Sequence, residues 1–123
     1  MKLDLPLINN KINNIGIDLV YLPRMENKID NKSFINRILS ENEQLLYYKL
    51  TNKRRKIEFL GGRYACKEAY AKALGLGIGK VDFHDLEVLY DSNNALITNK
   101  EVNISLSHDQ DYAIAIVLIG DNK

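Results

Sequence analysis

The spacing of apolar positions changes along the chain. Residues 15–22, IGIDLVYL, form a nearly continuous apolar run that Pro23 ends, which predicts a first strand. Residues 33–50, SFINRILSENEQLLYYKL, read as helical, with Phe34, Ile38, Leu45 and Leu46 supplying apolar faces. Ser33 is placed to cap one helix, and Ser40 with Glu43 matches a capping box for a second. Residues 53–74 read as one long helix. On a wheel of about 100° per residue, Phe59, Gly62, Ala65, Cys66, Ala69, Tyr70 and Ala73 share a broad face of small and apolar side chains. Arg63, Tyr64, Lys67, Glu68 and Lys72 share the opposite face, and Gly75, Gly77 and Gly79 end the helix. Residues 83–90, FHDLEVLY, alternate from Leu86 onward, and DSNN at 91–94 is a turn signal. VNISLS at 102–107 alternates strictly, YAIAIVLI at 112–119 reads as a buried strand, and the short link HDQD predicts a hairpin between them. Helices in the middle and antiparallel strands at the end make the class α+β.

Composition narrows this picture. The chain has 123 residues, which suggests one domain. A hydrophobic share of 46%, a charged share of 27% and a net charge of +1 are ordinary for a globular protein and do not single out nucleic acid or a membrane. The charge is uneven, with NKRRK at 52–56, a run that reads either as a solvated face or as a grip on phosphate or an acidic partner. The single cysteine, Cys66, excludes an intramolecular disulfide and sits in an apolar helical pattern, where a thiol packs as a small hydrophobe. The leader MKLDLPLINNKINN is broken by Asp4 and Pro6 and lacks a cleavage signal, so residues 1–14 are expected to be a loosely held extension before a single domain at 15–123. No stretch approaches the ~18 apolar residues of a membrane span, and the expectation is a cytoplasmic protein.

Four features carry candidate chemistry. Asp18 interrupts an apolar strand, where an unpaired buried carboxylate would cost several kcal/mol. Either it faces solvent or pairs with a cation such as Arg24, or it ligates a metal ion. Glu68 has Lys72 one helical turn on, a pair that suits any exposed helix. The sharper reading joins Glu68 to Asp18: one carboxylate from a strand and one from a helix can hold Mg²⁺ and leave positions for water and phosphate oxygens. Lys72 and Arg63 would then receive an anionic substrate, Arg as a fork and Lys as a point charge. The glycines after them either let backbone amides approach a ligand or simply stop the helix. NKRRK is the third feature. SLSHD at 105–109 is the fourth, where His108 is either a ligand contact or a turn histidine.

These pieces occur in one order: IGIDLVYLPR, FINRILSENE, FLGGRYACKEAYAKALGLGIG, FHDLEV and ISLSHDQDYAIAIV. In that order the chain, from Ile15 to about Val117, resembles the holo-acyl-carrier-protein synthases, the bacterial type of phosphopantetheinyl transferase. The resemblance implies the phosphopantetheinyl transferase fold, a small antiparallel sheet packed against a long central helix and shorter helices. It implies transfer of 4'-phosphopantetheine from coenzyme A to a serine of apo-acyl carrier protein, with Mg²⁺ as cofactor and adenosine 3',5'-bisphosphate as leaving product, for fatty acid and lipid synthesis. Carried over by position, it implies Asp18 and Glu68 as metal ligands and Lys72 beside the reacting phosphate. Arg54, Arg63, His108 and the glycines Gly75 and Gly77 would serve the coenzyme A end, and Arg24 the acidic carrier. It also implies a homotrimer with sites between subunits. Two departures stand out: Leu76 occupies a position where the family commonly has Thr, and SNNALITNK replaces the usual Gly-Lys-Pro turn. The competing classes are a non-catalytic module that binds coenzyme A or a carrier protein, and a small nucleic-acid binder using NKRRK. The second is disfavoured by the lack of an aromatic platform.

Overall fold

The computed structural model describes residues 12–76 and 81–120. In chain order the elements are β1 (Ile12–Tyr21), a 3-10 turn (Leu22–Met25), α1 (Lys32–Ile38), α2 (Glu41–Tyr47), α3 (Lys53–Ala73), β2 (Val88–Tyr90), β3 (Leu96–Thr98), β4 (Asn103–Asp109) and β5 (Tyr112–Gly120). β1, β5 and β4 form an antiparallel sheet in that order, and β2 and β3 form a separate two-stranded sheet. The class is α+β, as expected. The first strand starts three residues earlier than the sequence pattern suggests, so 12–14 belong to the sheet; the rest of the expected extension lies outside the described residues.

β1 alternates. Gly16 and Val20 face inward with Ala113, Ala115 and Val117 of β5, all buried against α3. The small inward residues follow from how close the helix lies. A Cβ on Gly16 would sit 1.9 Å from the Ala69 carbonyl oxygen and 2.7 Å from the Ala73 amide nitrogen. Strand and helix therefore touch backbone to backbone, which the stripe Ala65, Ala69, Ala73 permits. The outward positions Ile15, Ile17, Leu19 and Tyr21, with Tyr112 and Ile114 across the ladder, leave an apolar sheet face open; Ile15 is 63% and Leu19 56% exposed.

The far side of α3 corrects the helical-wheel expectation. Arg63, Lys67 and Glu68 are buried, because α1, α2 and β2 cover the face that the wheel marks as polar. The Lys67 charge is met internally. Lys67 Nζ donates to the Ile38 carbonyl (2.6 Å) and to Glu43 Oε1 (2.5 Å). Glu43 also accepts from the Ser40 amide (2.8 Å) and the Val88 amide (2.9 Å), so one buried ion pair joins α1, α2, α3 and β2. Among the described residues no buried side-chain polar atom lacks a partner.

Local signals held unevenly. The Ser40–Glu43 capping box is present, but α1 is capped by Asn31, whose side chain accepts from the Phe34 amide, rather than by Ser33. The strand expected over 83–90 shrinks to Val88–Tyr90, because Asp82 accepts from the His84 amide and turns the chain. SNNALITNK contains β3, unmarked by the sequence pattern. The final hairpin is tight, with Gln110 at φ 53°. α3 stops in a Schellman arrangement: Leu76 N–H donates to Ala71 and Gly75 N–H to Lys72, with Gly75 at φ 73°.

Candidate active site

Asp18 lies on the inward side of β1 between Gly16 and Val20, at the sheet edge beside α3. It neither faces solvent freely nor pairs with Arg24. Lys72 Nζ donates to Asp18 Oδ1 (3.0 Å) and to the Ile17 carbonyl (2.9 Å). The Asp18 side chain is 15% exposed and that of Lys72 53%, so the ion pair sits at a rim rather than in the core.

Glu68, one turn before Lys72, is buried in the same place. Burial, and then the nearby Asp18 charge, hold its carboxyl above the usual carboxylate range; Lys72, Tyr64 and Arg37 pull the other way. Two carboxylates driven together against their repulsion form an electron-rich pocket that a cation would relieve. Around it stand the Tyr64 phenol and the Arg37 guanidinium, at the end of α1. Three partly buried rings line this side: Tyr64 lies between Phe34 (6.1 Å between centroids) and Phe83 (5.8 Å). Lys28 caps the row over Phe34 at 5.1 Å, and Arg37 over Phe83 at 5.4 Å. Arg24 is exposed on the 3-10 turn, in a depression with Lys28 and Glu26.

A second group forms at the other end of α3. A pocket of about 190 Å³ is lined by Arg55, Glu58, Arg63, Tyr90, Leu106 and His108 among others. His108 Nδ1 is 3.5 Å from Glu58 Oε2, which also accepts from Arg54 Nε at 3.1 Å. Arg63 forms the floor. It donates to the Val88 carbonyl from Nε (3.3 Å) and Nη2 (3.2 Å) and to the Tyr90 hydroxyl (3.2 Å). Its plane stacks on Phe59 at 3.9 Å. Arg54 turns away toward the Gln110 carbonyl and Asp111, while Arg55 lines the pocket. The Gly75 amide is occupied by its helix-stopping bond, and Gly77 lies outside the described residues.

The structure thus brings Asp18, Glu68 and Lys72 together, and separately His108 with Arg63. From Glu58 to Glu68 the helix rises about 15 Å, so one chain does not merge the two groups. Arg55 falls within the NKRRK run that the sequence marks as a phosphate grip, whereas sequence reasoning missed Tyr64, Arg37 and Tyr90. Tyr64 had a signal, one turn from Glu68 on the same helix; Arg37 and Tyr90 arrive from other elements and had none.

Comparison with known proteins fits this geometry. Residues 14–117 match the 4'-phosphopantetheinyl transferase superfamily. The chain belongs to this family. A holo-(acyl-carrier-protein) synthase of Geobacillus sp. strain WCH70 is 49% identical over 112 residues, 85% of this chain and 93% of that one. The synthase of Streptococcus agalactiae is 45% identical over 88% of this chain and 96% of its own. Among solved family structures, the synthase from Bacillus anthracis, in complex with CoA (3',5'-ADP), superposes with a TM-score of 0.80 at 44% identity, covering 90% of this chain and 98% of that chain. The Helicobacter pylori synthase, in complex with coenzyme A, gives 0.72 at 32% identity, over 85% and 99%. The family fold is the one described above, with the long central helix carrying Glu68 and Lys72 and the first strand carrying Asp18.

Proposed function

We propose that this chain is a holo-acyl-carrier-protein synthase, transferring 4'-phosphopantetheine from coenzyme A to a serine of an apo-acyl carrier protein. The observation that carries the reading is the meeting of Asp18, Glu68 and Lys72 at one rim, within the span that matches the family. In the reaction the serine oxygen bonds to the phosphorus that bears pantetheine. The bond from that phosphorus to the bridging oxygen breaks, its electron pair leaves with adenosine 3',5'-bisphosphate, and the serine loses its proton.

Asp18 and Glu68 are the residues that would hold Mg²⁺. Their fit rests on the donor set: two oxygen ligands of like charge in one place, few enough to leave positions for phosphate oxygens. An ion held there would neutralise charge on the pyrophosphate. Lys72, half exposed beside Asp18, places a point charge where the transferred phosphoryl group or the departing phosphate gathers negative charge. Arg63, His108 and Arg55, with Arg54 beside them, serve the nucleotide end of coenzyme A. Arg24, with Lys28 and Arg37 near it, receives the acidic carrier.

The separation of the two groups along α3 supports a site shared between copies. So does the open sheet face, where Ile15, Ile17, Leu19, Tyr21, Tyr112 and Ile114 form a contiguous apolar surface. A homotrimer that buries these faces would bring the His108 group of one copy to the Asp18 group of another. We read the protein as cytoplasmic; no helix among the described residues is long and apolar enough to cross a membrane.

The test is direct. The purified protein is mixed with coenzyme A, Mg²⁺ and an apo-acyl carrier protein, and the carrier is weighed by mass spectrometry. A gain of one phosphopantetheine, abolished by chelator, is expected. No gain across several carriers, with coenzyme A still bound, points instead to a non-catalytic binding module.

A further inference from the structure

The aromatic row beside Glu68 holds one group that the transfer reaction has not yet used. Tyr64 stands one helical turn before Glu68, which places the two side chains as neighbours on one face of α3. Its ring is fixed from both sides, by Phe34 on α1 and by Phe83 in the turn before β2. Each of those rings is in turn covered by a cation, Lys28 or Arg37. A ring so held has little rotamer freedom left to lose, and the Glu68 and Asp18 carboxylates are within electrostatic reach of its hydroxyl. A carboxylate only accepts hydrogen bonds, so any hydrogen bond between the two runs from the phenol. Packing alone would be served as well by a phenylalanine, since Phe34 and Phe83 contact only the ring.

We propose that Tyr64 is a positioning residue: its clamped hydroxyl donates to one Glu68 oxygen and leaves the other turned toward Asp18, orienting the carboxylate pair for the metal ion. The inference rests on the metal assignment made above. Groups that orient a ligand in this way typically change metal affinity by about 10–100-fold. A phenol can donate only one hydrogen bond, so the lower end applies.

The decisive variant is Tyr64→Phe, which keeps the ring between Phe34 and Phe83 and removes only the hydroxyl. Mn²⁺ binding to the full chain is followed by electron paramagnetic resonance of the free ion, for the parent, Tyr64→Phe and Asp18→Asn, with melting temperatures in parallel. The expected result is an Mn²⁺ affinity about tenfold weaker in Tyr64→Phe, with an unchanged melting temperature. The Mg²⁺ concentration that half-saturates transfer should rise in step, while KM for the carrier protein stays put. If Asp18→Asn loses Mn²⁺ and Tyr64→Phe does not, the Tyr64 role is overturned while the metal site stands. If Asp18→Asn also keeps its affinity, the metal assignment itself falls, and the Tyr64 role with it. A raised KM for the carrier with metal affinity intact would place the hydroxyl in the docking surface instead.

Discussion

Replacing Gly16 with alanine tests the link between the fold and the site most sharply. The new methyl would lie 1.9 Å from the Ala69 carbonyl oxygen and 2.7 Å from the Ala73 amide nitrogen, both backbone atoms of α3. Neither can swing aside as a side chain would, so β1 and α3 must separate by more than an ångström to reach ordinary contact. Overpacking in a well-packed core costs about 1–3 kcal/mol and occasionally more, and a clash with backbone on both sides belongs at the upper end. For a chain of this size about 3 kcal/mol corresponds to a fall in Tm of roughly 10 °C. The displacement also acts on chemistry, because Asp18 is two residues along the same strand and Glu68 and Lys72 are on the same helix. A shift of ~1 Å in catalytic geometry can cost about 10²-fold in rate. Calorimetry gives the first quantity and the initial rate of phosphopantetheine transfer, at a temperature where the variant is folded, gives the second. An unchanged Tm would show that the strand is not pressed against the helix. A lowered Tm with full activity would show that the spacing of β1 and α3 does not set the site.

Other outcomes follow from the same contacts. Asp18→Asn or Glu68→Gln should abolish transfer at limiting Mg²⁺ while circular dichroism stays native; near-normal turnover in either would remove it from the metal site. Because Glu68 binds its proton more tightly folded than unfolded, the chain loses stability as pH rises from the usual carboxylate range through the raised value. In chelator, Glu68→Gln should therefore melt higher than the parent at neutral pH, with the gap closing in acid; a gap independent of pH would refute this. Lys67→Met strands the buried Glu43 charge and should cost about 3–5 kcal/mol. Adding Glu43→Gln should recover part of that in urea titrations, since the amide still accepts from Ser40. Leu19→Asp on the open sheet face should give a monomer by light scattering with little transfer, and an active assembly of unchanged size would count against the shared site.

What was legible in the sequence was local. The apolar run around Asp18, the box at Ser40 and Glu43, the reach of α3 and the last hairpin all depend on residues close to one another. What was not legible depends on distant partners. The wheel set Lys67 on a solvated face because its counter-charge, Glu43, lies 24 residues away on another helix. The strand ending at Tyr90 was drawn too long because Asp82 caps the turn before it, and β3 has only three residues with no run to mark it. The candidate site follows the same rule. Asp18, Glu68 and Lys72 stood out as charges in apolar or helical patterns, and the resemblance tied them together. Arg37 and Tyr90 reach the two groups only through tertiary packing.

The strand order carries a consequence for how the molecule is made. β1, at the start of the chain, pairs along its length with β5, at the end, and Asp18 lies opposite Ala115. During synthesis from the N-terminus, the strand bearing Asp18 has α3 to pack on but no strand to pair with until β5 has been made. The helices form early from local contacts, whereas closure of the sheet waits for the longest loop in the fold. The site is therefore among the last parts to come together. A chain cut short at about residue 110 would retain Asp18, Glu68, Lys72, Arg63 and His108, yet it would lack the central strand that holds Asp18 against the helix.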